Sequence, residues 1–191
     1  AGLNGVFLAE DLILFYFFWE VVLIPVYFLI GLYGIGKYKL RANMTFFLYT
    51  ILGSMFMLGG IVYIGFYLKP VSFLLADVAQ VTSVAYSTNT ALALLFLIAF
   101  VIKIPIFPFH TWQPTIYKTA PTPLTVVLSA LKAKMGLFAV VTWYLGLFPT
   151  VSVLFNYILY VAVFGLVYAS LIALSAKNVK KIIAYSSIAH L

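Results

Sequence analysis

Long hydrophobic runs with few charges dominate this sequence and limit what it can fold into. Each complete run holds about 20 residues or more, which is the length of a helix that crosses a bilayer. None alternates as barrel strands do, and all are about twice as long as such strands need to be. The sequence therefore predicts an all-α, polytopic transmembrane helical bundle. Its predicted spans lie near 12–34, 43–67, 90–109, 122–146 and 150–175, and a partial span begins near 181.

The composition argues against several other classes of protein. Hydrophobic residues make up 65% of the 191 residues and charged residues only 8%, whereas a soluble domain needs far more polar surface. The chain has no cysteine, and its two histidines and four acids are too scattered to predict a metal site. Its net charge of +7 does not form a basic stripe, so we expect no nucleic-acid partner. These features predict an integral membrane protein surrounded by the lipid bilayer.

Both ends of the chain fall within hydrophobic segments. Residues 1–9 are typical of the end of a membrane helix, and the run that begins near 181 is unfinished at residue 191. We therefore expect residues 1–191 to form a single transmembrane domain that is a fragment of a larger protein.

Charged residues in the loops predict the orientation of the bundle. Alternate loops are basic, whereas the loops between them carry acids, a single lysine or no charge. The positive-inside rule assigns the basic loops to the cytoplasm or its equivalent. The basic loops hold Lys37, Lys39, Arg41, Lys118, Lys177, Lys180 and Lys181, and the other loops hold Glu10, Asp11, Lys69 and Asp77.

Four charged residues remain inside the predicted spans: Glu20, Lys103, Lys132 and Lys134. Each costs about 2.5–3.5 kcal/mol at the centre of a membrane helix on insertion scales. Such residues are rare in membrane helices and mark ion or proton pathways when they occur. These four are therefore the candidate functional residues.

Lys103 lies in the segment FVIKIPIFPFH, which contains two prolines. Pro105 and Pro108 cannot donate backbone hydrogen bonds, which frees or strains the carbonyls of Val101 and Ile104. A helix break of this kind is tolerated where it is buried in protein or lines a wet cavity. The pattern favours a lysine that exchanges protons at mid-membrane depth, since desolvation of an amine favours release of its proton. The alternative is a lysine that reaches the nearer interface.

Glu20 is the acid in the first predicted span. It shares one helical face with Tyr16 and Tyr27, and Pro25 interrupts the same helix. We interpret Glu20 as a counter-ion for a lysine, with Lys103 the natural candidate. The alternative is a neutral carboxyl group that bonds a neighbouring helix.

Lys132 and Lys134 are two residues apart on one helix, so their side chains point about 200° apart. Lys132 shares a face with Thr125, Ser129 and Gly136, which form a small and polar stripe. The pattern alone slightly favours Lys132 as the residue on a wet internal path, and leaves Lys134 open.

Three segments together resemble the antiporter-like membrane subunits of proton-pumping NADH:quinone oxidoreductase, or respiratory complex I. They read FFWEVVLIPVYFLIGLYG, KIPIFPFHTWQPTIYKTAPTP and NVKKIIAYSSIAHL. The pattern at 18–30 is most similar to the chain M branch. The Ala-Pro-Thr-Pro-Leu-Thr stretch at 120–125 is more similar to chain N and to Mrp-type sodium/proton antiporter subunits. The resemblance covers almost the whole chain and implies a fragment of a larger antiporter-like fold.

The resemblance also implies roles for individual residues. It makes Lys103 the pumping lysine at a broken helix and Glu20 the glutamate that pairs with it. It selects Lys134 as the second lysine that passes protons towards the centre of the subunit, with Lys132 as its rival. His190 matches a histidine on the central polar axis of the family. The other histidine, His110, is expected to be structural.

The implied function is proton translocation in the membrane arm of an NADH or ferredoxin:quinone oxidoreductase, so the chain would be a non-redox subunit of an enzyme. No cofactor is expected in this chain, and flavin, iron–sulfur clusters and quinone are expected in partner subunits. Other membrane subunits are the expected partners, in a bacterial inner membrane or an equivalent energy-transducing membrane. The alternatives are a monovalent cation/proton antiporter subunit and a structural membrane subunit without transport.

Overall fold

The computed structural model describes the backbone of residues 1–84, 86–149 and 152–191, and the side chains of residues 1–83, 90–149 and 156–191. The regular structure in this part of the chain is helical throughout. The all-α class predicted from the hydrophobic runs is therefore confirmed.

The helices pack as a bundle of short and long elements. In chain order they are α1 (Gly2–Leu8), α2 (Leu12–Val21), α3 (Leu23–Tyr33), α4 (Lys39–Tyr63), α5 (Leu75–Val84), α6 (Tyr86–Lys103), α7 (Trp112–Thr119), α8 (Thr122–Val127), α9 (Ala133–Ala139), α10 (Leu145–Leu147), α11 (Ser152–Ser175) and α12 (Val179–Ala189). A π-helical turn at Ile64–Leu68 extends α4. Two further π-helical turns, Leu128–Lys132 and Val140–Tyr144, join α8, α9 and α10 into one continuous helix.

Four helical segments of the described chain are long and apolar enough to cross a membrane. They are Leu12–Tyr33, Lys39–Leu68, Thr122–Leu147 and Asn156–Ser175. The region predicted near 90–109 is helical only to Lys103, and a non-helical segment follows it up to α7. Residues 150 and 151, where the predicted fifth span begins, lie outside the described residues.

Local chemistry explains where the first membrane helix begins and where it is interrupted. Asp11 caps α2, because its Oδ1 accepts hydrogen bonds from the backbone N–H groups of Ile13 and Leu14 at 2.9 and 3.0 Å. Pro25 has no N–H to donate to the carbonyl of Val21, and the helix is interrupted at Val22. The span Leu12–Tyr33 therefore consists of two helices, α2 and α3.

The basic loops meet at one end of the bundle. The backbone N–H of Ile35 donates to the carbonyl of Thr119 at 2.6 Å, which joins the loops after α3 and α7. Lys180 Nζ donates to the carbonyls of Lys118 and Ala120 at 3.5 Å, which adds the start of α12. We call this the basic end.

The loops with acidic residues meet at the opposite end. The backbone N–H of Leu12 donates to Phe73 O at 2.8 Å, and that of Leu75 donates to Glu10 O at 3.1 Å. Gly146, near the end of α10, approaches Leu75 so closely that an added Cβ would lie 3.3 Å from its side chain. The alternation of loop charge in the sequence thus corresponds to two separate ends of the folded chain.

Aromatic side chains form much of the interior. One cluster of buried residues contains Phe15, Trp19, Phe100 and Trp143 among its members. A second cluster contains Phe46, Trp112 and Tyr117 and packs closer to the basic end. The two buried lysines described below contact the rings of these clusters.

Candidate functional site

The chain leaves helical geometry immediately after Lys103. The backbone N–H of Ile104 still donates to Phe100 O at 2.8 Å, but Pro105 has no N–H. The next amide, of Ile106, donates to Val101 O at 3.1 Å, five residues back along the chain. The carbonyl of Val101 is therefore not left free, because the amide of Ile106 takes the place of the missing proline donor.

The indole of Trp112 bonds the last turn of the broken helix. Its Nε1–H donates to the carbonyl of Ile102 at 3.1 Å. In an unbroken helix that carbonyl would accept from the amide of Ile106, which here donates elsewhere. Trp112 is the first residue of α7, so the two helical pieces on either side of the break are joined through one side chain.

Lys103 is buried at the end of α6, with 2% of its surface exposed. Its Nζ donates to the carbonyl of Trp19 at 3.3 Å and lies 4.4 Å from the centroid of the Trp19 ring. Trp19 is in the last turn of α2, where terminal carbonyls lack a helical partner and the helix dipole attracts a cation. The interruption of α2 at Val22 thus provides an acceptor for the Lys103 ammonium.

Glu20 is half-buried beside this interruption and interacts electrostatically with Lys103. The lysine bonds the neighbouring carbonyl of Trp19, and no ion pair joins Lys103 to Glu20 in the described part of the chain. Tyr16 is also within electrostatic reach of Glu20. The hydroxyl of Tyr27, expected on the same face, instead donates to a methionine sulfur on α4 at 3.3 Å.

Lys132 is the second buried lysine, with 2% of its surface exposed. Its Nζ lies 3.5 Å from the centroid of the Phe46 ring and 5.5 Å from that of Trp112. The ammonium has no hydrogen-bond partner among the described residues. Lys103 and Glu20 both lie within electrostatic reach of it.

Lys134 is exposed on the surface of this chain. The family resemblance selects Lys134, but in the described chain Lys134 does not face the helix of Lys103, and Lys132 occupies the inner position. The reason is the buried face of the helix, on which Leu124, Leu128 and Lys132 follow one another at intervals of four residues. A residue two positions further on points to the opposite side. The functional role of Lys134 stays a prediction.

Gly136 brings this helix close to the break. A Cβ added there would lie 2.5 Å from Cγ1 of Ile104 and 3.3 Å from its backbone nitrogen. We expect Gly136→Ala to displace Ile104 and to destabilise the protein by about 1–3 kcal/mol, as overpacking usually does. The lowered midpoint of thermal unfolding in detergent would measure this effect.

Gly59 provides the matched control, because nothing lies within 4 Å of an added Cβ there. Replacing a helical glycine by alanine is worth about 0.5–1 kcal/mol in favour of the helix. Gly59→Ala should therefore leave the midpoint unchanged or raise it. Equal midpoints for the two variants would mean that Ile104 moves aside without destabilising the protein.

The two histidines occupy different environments. His110 is buried, and its ring contacts those of Phe107, Tyr168 and Tyr185 at centroid distances of 5.7, 5.3 and 6.3 Å. Its Nδ1 has no hydrogen-bond partner among the described residues. His190 caps the end of α12 and is exposed on this chain. Its role on a polar axis stays a prediction.

A polar cluster near the basic end was missed in the sequence. Gln113 Nε2 donates to the hydroxyl of Tyr117 at 3.0 Å and to Oγ of Ser187 at 3.4 Å. Gln113 and Tyr117 are four residues apart, a spacing that places two polar groups on one helical face and was available as a signal. The contacts of Phe46 and Trp112 with Lys132 had no comparable signal, because they join distant segments.

Comparison with known families identifies the chain. The model of the NADH:quinone oxidoreductase/Mrp antiporter transmembrane family matches residues 9–191. The chain belongs to this family. It is an integral membrane protein, in agreement with its four candidate membrane-spanning segments.

Named members of the family are similar to this chain over nearly all of its length. NADH-quinone oxidoreductase subunit M of Rickettsia conorii is 43% identical over 189 residues, which are 98% of this chain and 38% of that protein. NAD(P)H-quinone oxidoreductase chain 4 of a Synechococcus species is 38% identical over 193 residues, covering 100% of this chain and 35% of that protein. The chain thus spans less than two fifths of the length of these relatives.

Solved structures of the family share the fold. A chain of respiratory complex I from Thermus thermophilus with bound NADH matches 99% of this chain and 40% of its own length, with a TM-score of 0.88 and 31% identity. A chain of the Mrp complex from Dietzia sp. matches 98% of this chain and 20% of its own length, with a TM-score of 0.86. At 23% identity the second likeness shows the fold alone.

Proposed function

We propose that this chain is part of a proton-translocating membrane-arm subunit of an NADH or ferredoxin:quinone oxidoreductase. The observation that carries the proposal is the arrangement of Lys103, a buried lysine at the end of a broken membrane helix, within electrostatic reach of Glu20. Intramembrane ionisable residues of this kind are typical of proton relays. The relatives named as subunits of such oxidoreductases support the same function.

The mechanism is a series of linked charge changes in this chain. The ammonium of Lys103 is stabilised by Glu20 and by the carbonyl of Trp19. When Glu20 moves away or takes up a proton, the buried ammonium loses that stabilisation and releases its own proton. Water in the break carries the proton onward. The carbonyl of Trp19 remains as the acceptor for Lys103 when the lysine is protonated again.

Lys134 is the proposed receiver of this proton. Its exposed position on this chain is consistent with a residue that faces other parts of a longer subunit, since the relatives are more than twice as long. His190 is also exposed and would lie on the same proton path, between this chain and the central axis of the subunit. Lys132 faces inward and has a different role, which is inferred separately below.

We expect Lys134→Ala to remove most of the proton pumping by the assembled complex. Loss of a positioned proton-transfer group costs about 10²–10⁴-fold in rate when no other group replaces it. Acidification of inverted vesicles during NADH oxidation would measure pumping. Lys177→Ala, which removes an exposed loop lysine, is the control and should pump normally. Equal pumping by both variants would contradict the role of Lys134.

The redox chemistry is proposed to belong to partner subunits. Flavin, iron–sulfur clusters and quinone would lie there, and their electron transfer would reach this chain as shifts in charge and hydration. Purification of the native assembly through a tag on this subunit tests the proposal. Co-purifying flavin and iron–sulfur absorbance, together with quinone reduction by NADH or ferredoxin, is the expected result. Their absence would overturn it.

A monovalent cation/proton antiporter subunit is the second candidate function. It is favoured by the family model, which includes Mrp antiporters, and by the shared fold of the Mrp complex. The two candidates differ in their energy source, because an antiporter exchanges ions without electron transfer. Proton uptake driven by an imposed sodium gradient, in vesicles that contain the assembly without an electron donor, would favour the antiporter.

A further inference from the structure

The Lys132 ammonium lies against the aromatic rings of Phe46 and Trp112. The Nζ atom lies 3.5 Å from one ring centroid and 5.5 Å from the other, and has no hydrogen-bond partner in the described part of the chain. Both distances lie within the range in which an ammonium is attracted to an aromatic face. We call Phe46 and Trp112 the aromatic cage.

An aromatic cage binds a charged amine more strongly than a neutral amine of the same shape. A neutral amine loses the electrostatic attraction to the ring faces, whereas an ammonium gains more from them as water is excluded. Simple packing at a buried site would be served better by an apolar residue of similar length, since burial of a charge without hydrogen bonds is costly. The contacts of Lys132 therefore point to a site that distinguishes its charged state from its neutral state.

Trp112 connects this cage to the broken helix. The ring faces Lys132 at 5.5 Å while its Nε1–H donates to the carbonyl of Ile102 at 3.1 Å. Ile102 immediately precedes Lys103, and the same helix as Lys132 touches the break again where Gly136 meets Ile104. A shift of the Trp112 ring therefore changes the support of the backbone that carries Lys103.

We propose that Lys132 is a positioning residue for Lys103, acting through Trp112. The charged Lys132 attracts the indole of Trp112 and keeps its N–H on the Ile102 carbonyl, which fixes the end of α6 in the conformation described above. Loss of that charge frees the indole and loosens the break around Lys103. The proposal rests on the proposed function of Lys103 and adds the control of its geometry to it.

Two other charged groups lie within electrostatic reach of the cage. Glu20 on α2 and Lys103 on α6 are the charged groups that act on Lys132 in the described part of the chain.

Two substitutions of Lys132 separate a positioning role from packing. Lys132→Arg keeps a cation that binds aromatic faces, and Lys132→Met keeps an apolar stem of similar length without the charge. In the complete complex in vesicles, we expect Arg to retain most of the protons pumped per electron and Met to lower that ratio several-fold. A packing role predicts the reverse order, and that order would overturn the proposal.

A double-mutant cycle tests the route through Trp112. Trp112→Phe keeps one aromatic ring and removes the five-membered ring of the indole with the N–H that bonds Ile102. We expect this variant to lower the proton-to-electron ratio several-fold. The double variant Lys132→Met/Trp112→Phe should have a ratio no lower than that of the single variant with the larger loss. Losses that multiply would overturn the proposal. Trp143→Phe is the matched control, because its buried indole N–H has no partner among the described residues, and it should pump normally.

Assembly and the proposed function are checked separately. The amount of subunit in the purified complex shows whether each variant assembles, and if Lys132→Met does not, normal coupling in Trp112→Phe alone overturns the proposal. If Lys103→Ala pumps normally, the proposed function itself fails. If Lys103→Ala is inactive while Lys132→Met and Trp112→Phe both pump normally, only the role of Lys132 fails.

Discussion

Lys103→Ala is expected to abolish proton pumping almost completely while the subunit still inserts into the membrane. The substitution removes the ammonium that bonds the carbonyl of Trp19, in the last turn of α2, from the broken end of α6. A positioned proton-transfer group contributes about 10²–10⁴-fold to the rate of its step, so the residual pumping should fall below detection. The measurement is acidification of inverted vesicles during oxidation of NADH.

Insertion should survive this substitution because alanine is better tolerated in a membrane helix than lysine is. The appropriate control is Lys69→Ala, which removes an exposed lysine at the acidic-loop end of the bundle and should leave pumping intact. Normal pumping rates in vesicles that contain assembled Lys103→Ala would show that the break has another purpose.

Glu20→Gln is expected to reduce pumping strongly, and Glu20→Asp to reduce it less. Glutamine keeps the shape of the side chain but removes the charge that acts on both Lys103 and Lys132. Aspartate keeps the charge and shortens its reach by one methylene group. We expect the loss for glutamine to be several-fold larger than that for aspartate, because only glutamine removes the charge.

The half-buried position of Glu20 makes this ranking informative. Glu10→Gln is the control, because Glu10 is an exposed carboxyl in a loop and should be replaceable without effect. If the glutamine variant at Glu20 pumps as fast as the wild type, Glu20 is a packing residue. A glutamine variant that pumps better than the aspartate variant would indicate that length, and not charge, matters.

Two helix interruptions meet at the centre of the candidate site. Pro25 leads to the interruption of the first span beside Glu20, and Pro105 ends α6 beside Lys103. Each interruption leaves backbone carbonyls without helical partners. Lys103 takes the carbonyl of Trp19, and the indole of Trp112 takes that of Ile102. Backbone carbonyls that a continuous membrane helix would bond internally thus accept hydrogen bonds from a lysine and an indole.

Much of this arrangement was predictable because it depends on local sequence. The lengths of the hydrophobic runs predicted helices, the charge of alternate loops predicted two distinct ends, and prolines near Glu20 and Lys103 predicted interruptions. Membrane solvent makes such signals strong, since every uncompensated charge or free carbonyl is costly there. The family resemblance was confirmed by the match to residues 9–191.

The neighbouring lysines show where local sequence was insufficient. Helical geometry established that Lys132 and Lys134 point in nearly opposite directions, and the structure has one buried and the other exposed. The polar stripe favoured Lys132 as the inner residue and the family resemblance favoured Lys134. Which of them faces Lys103 depends on how the helix Thr122–Leu147 is rotated against its neighbours, and the polar stripe in that helix indicates the rotation only slightly.

The sequence by itself determined the all-α membrane fold, the two proline interruptions and the presence of Glu20 and Lys103 within apolar segments. Each of these follows from interactions between a segment and its solvent or between residues close in the chain. Only the tertiary structure decided that Lys103 bonds the carbonyl of Trp19, and that the rings of Phe46 and Trp112 surround Lys132. Those contacts join segments far apart in the chain, and they depend on the packing of buried side chains from several helices at once.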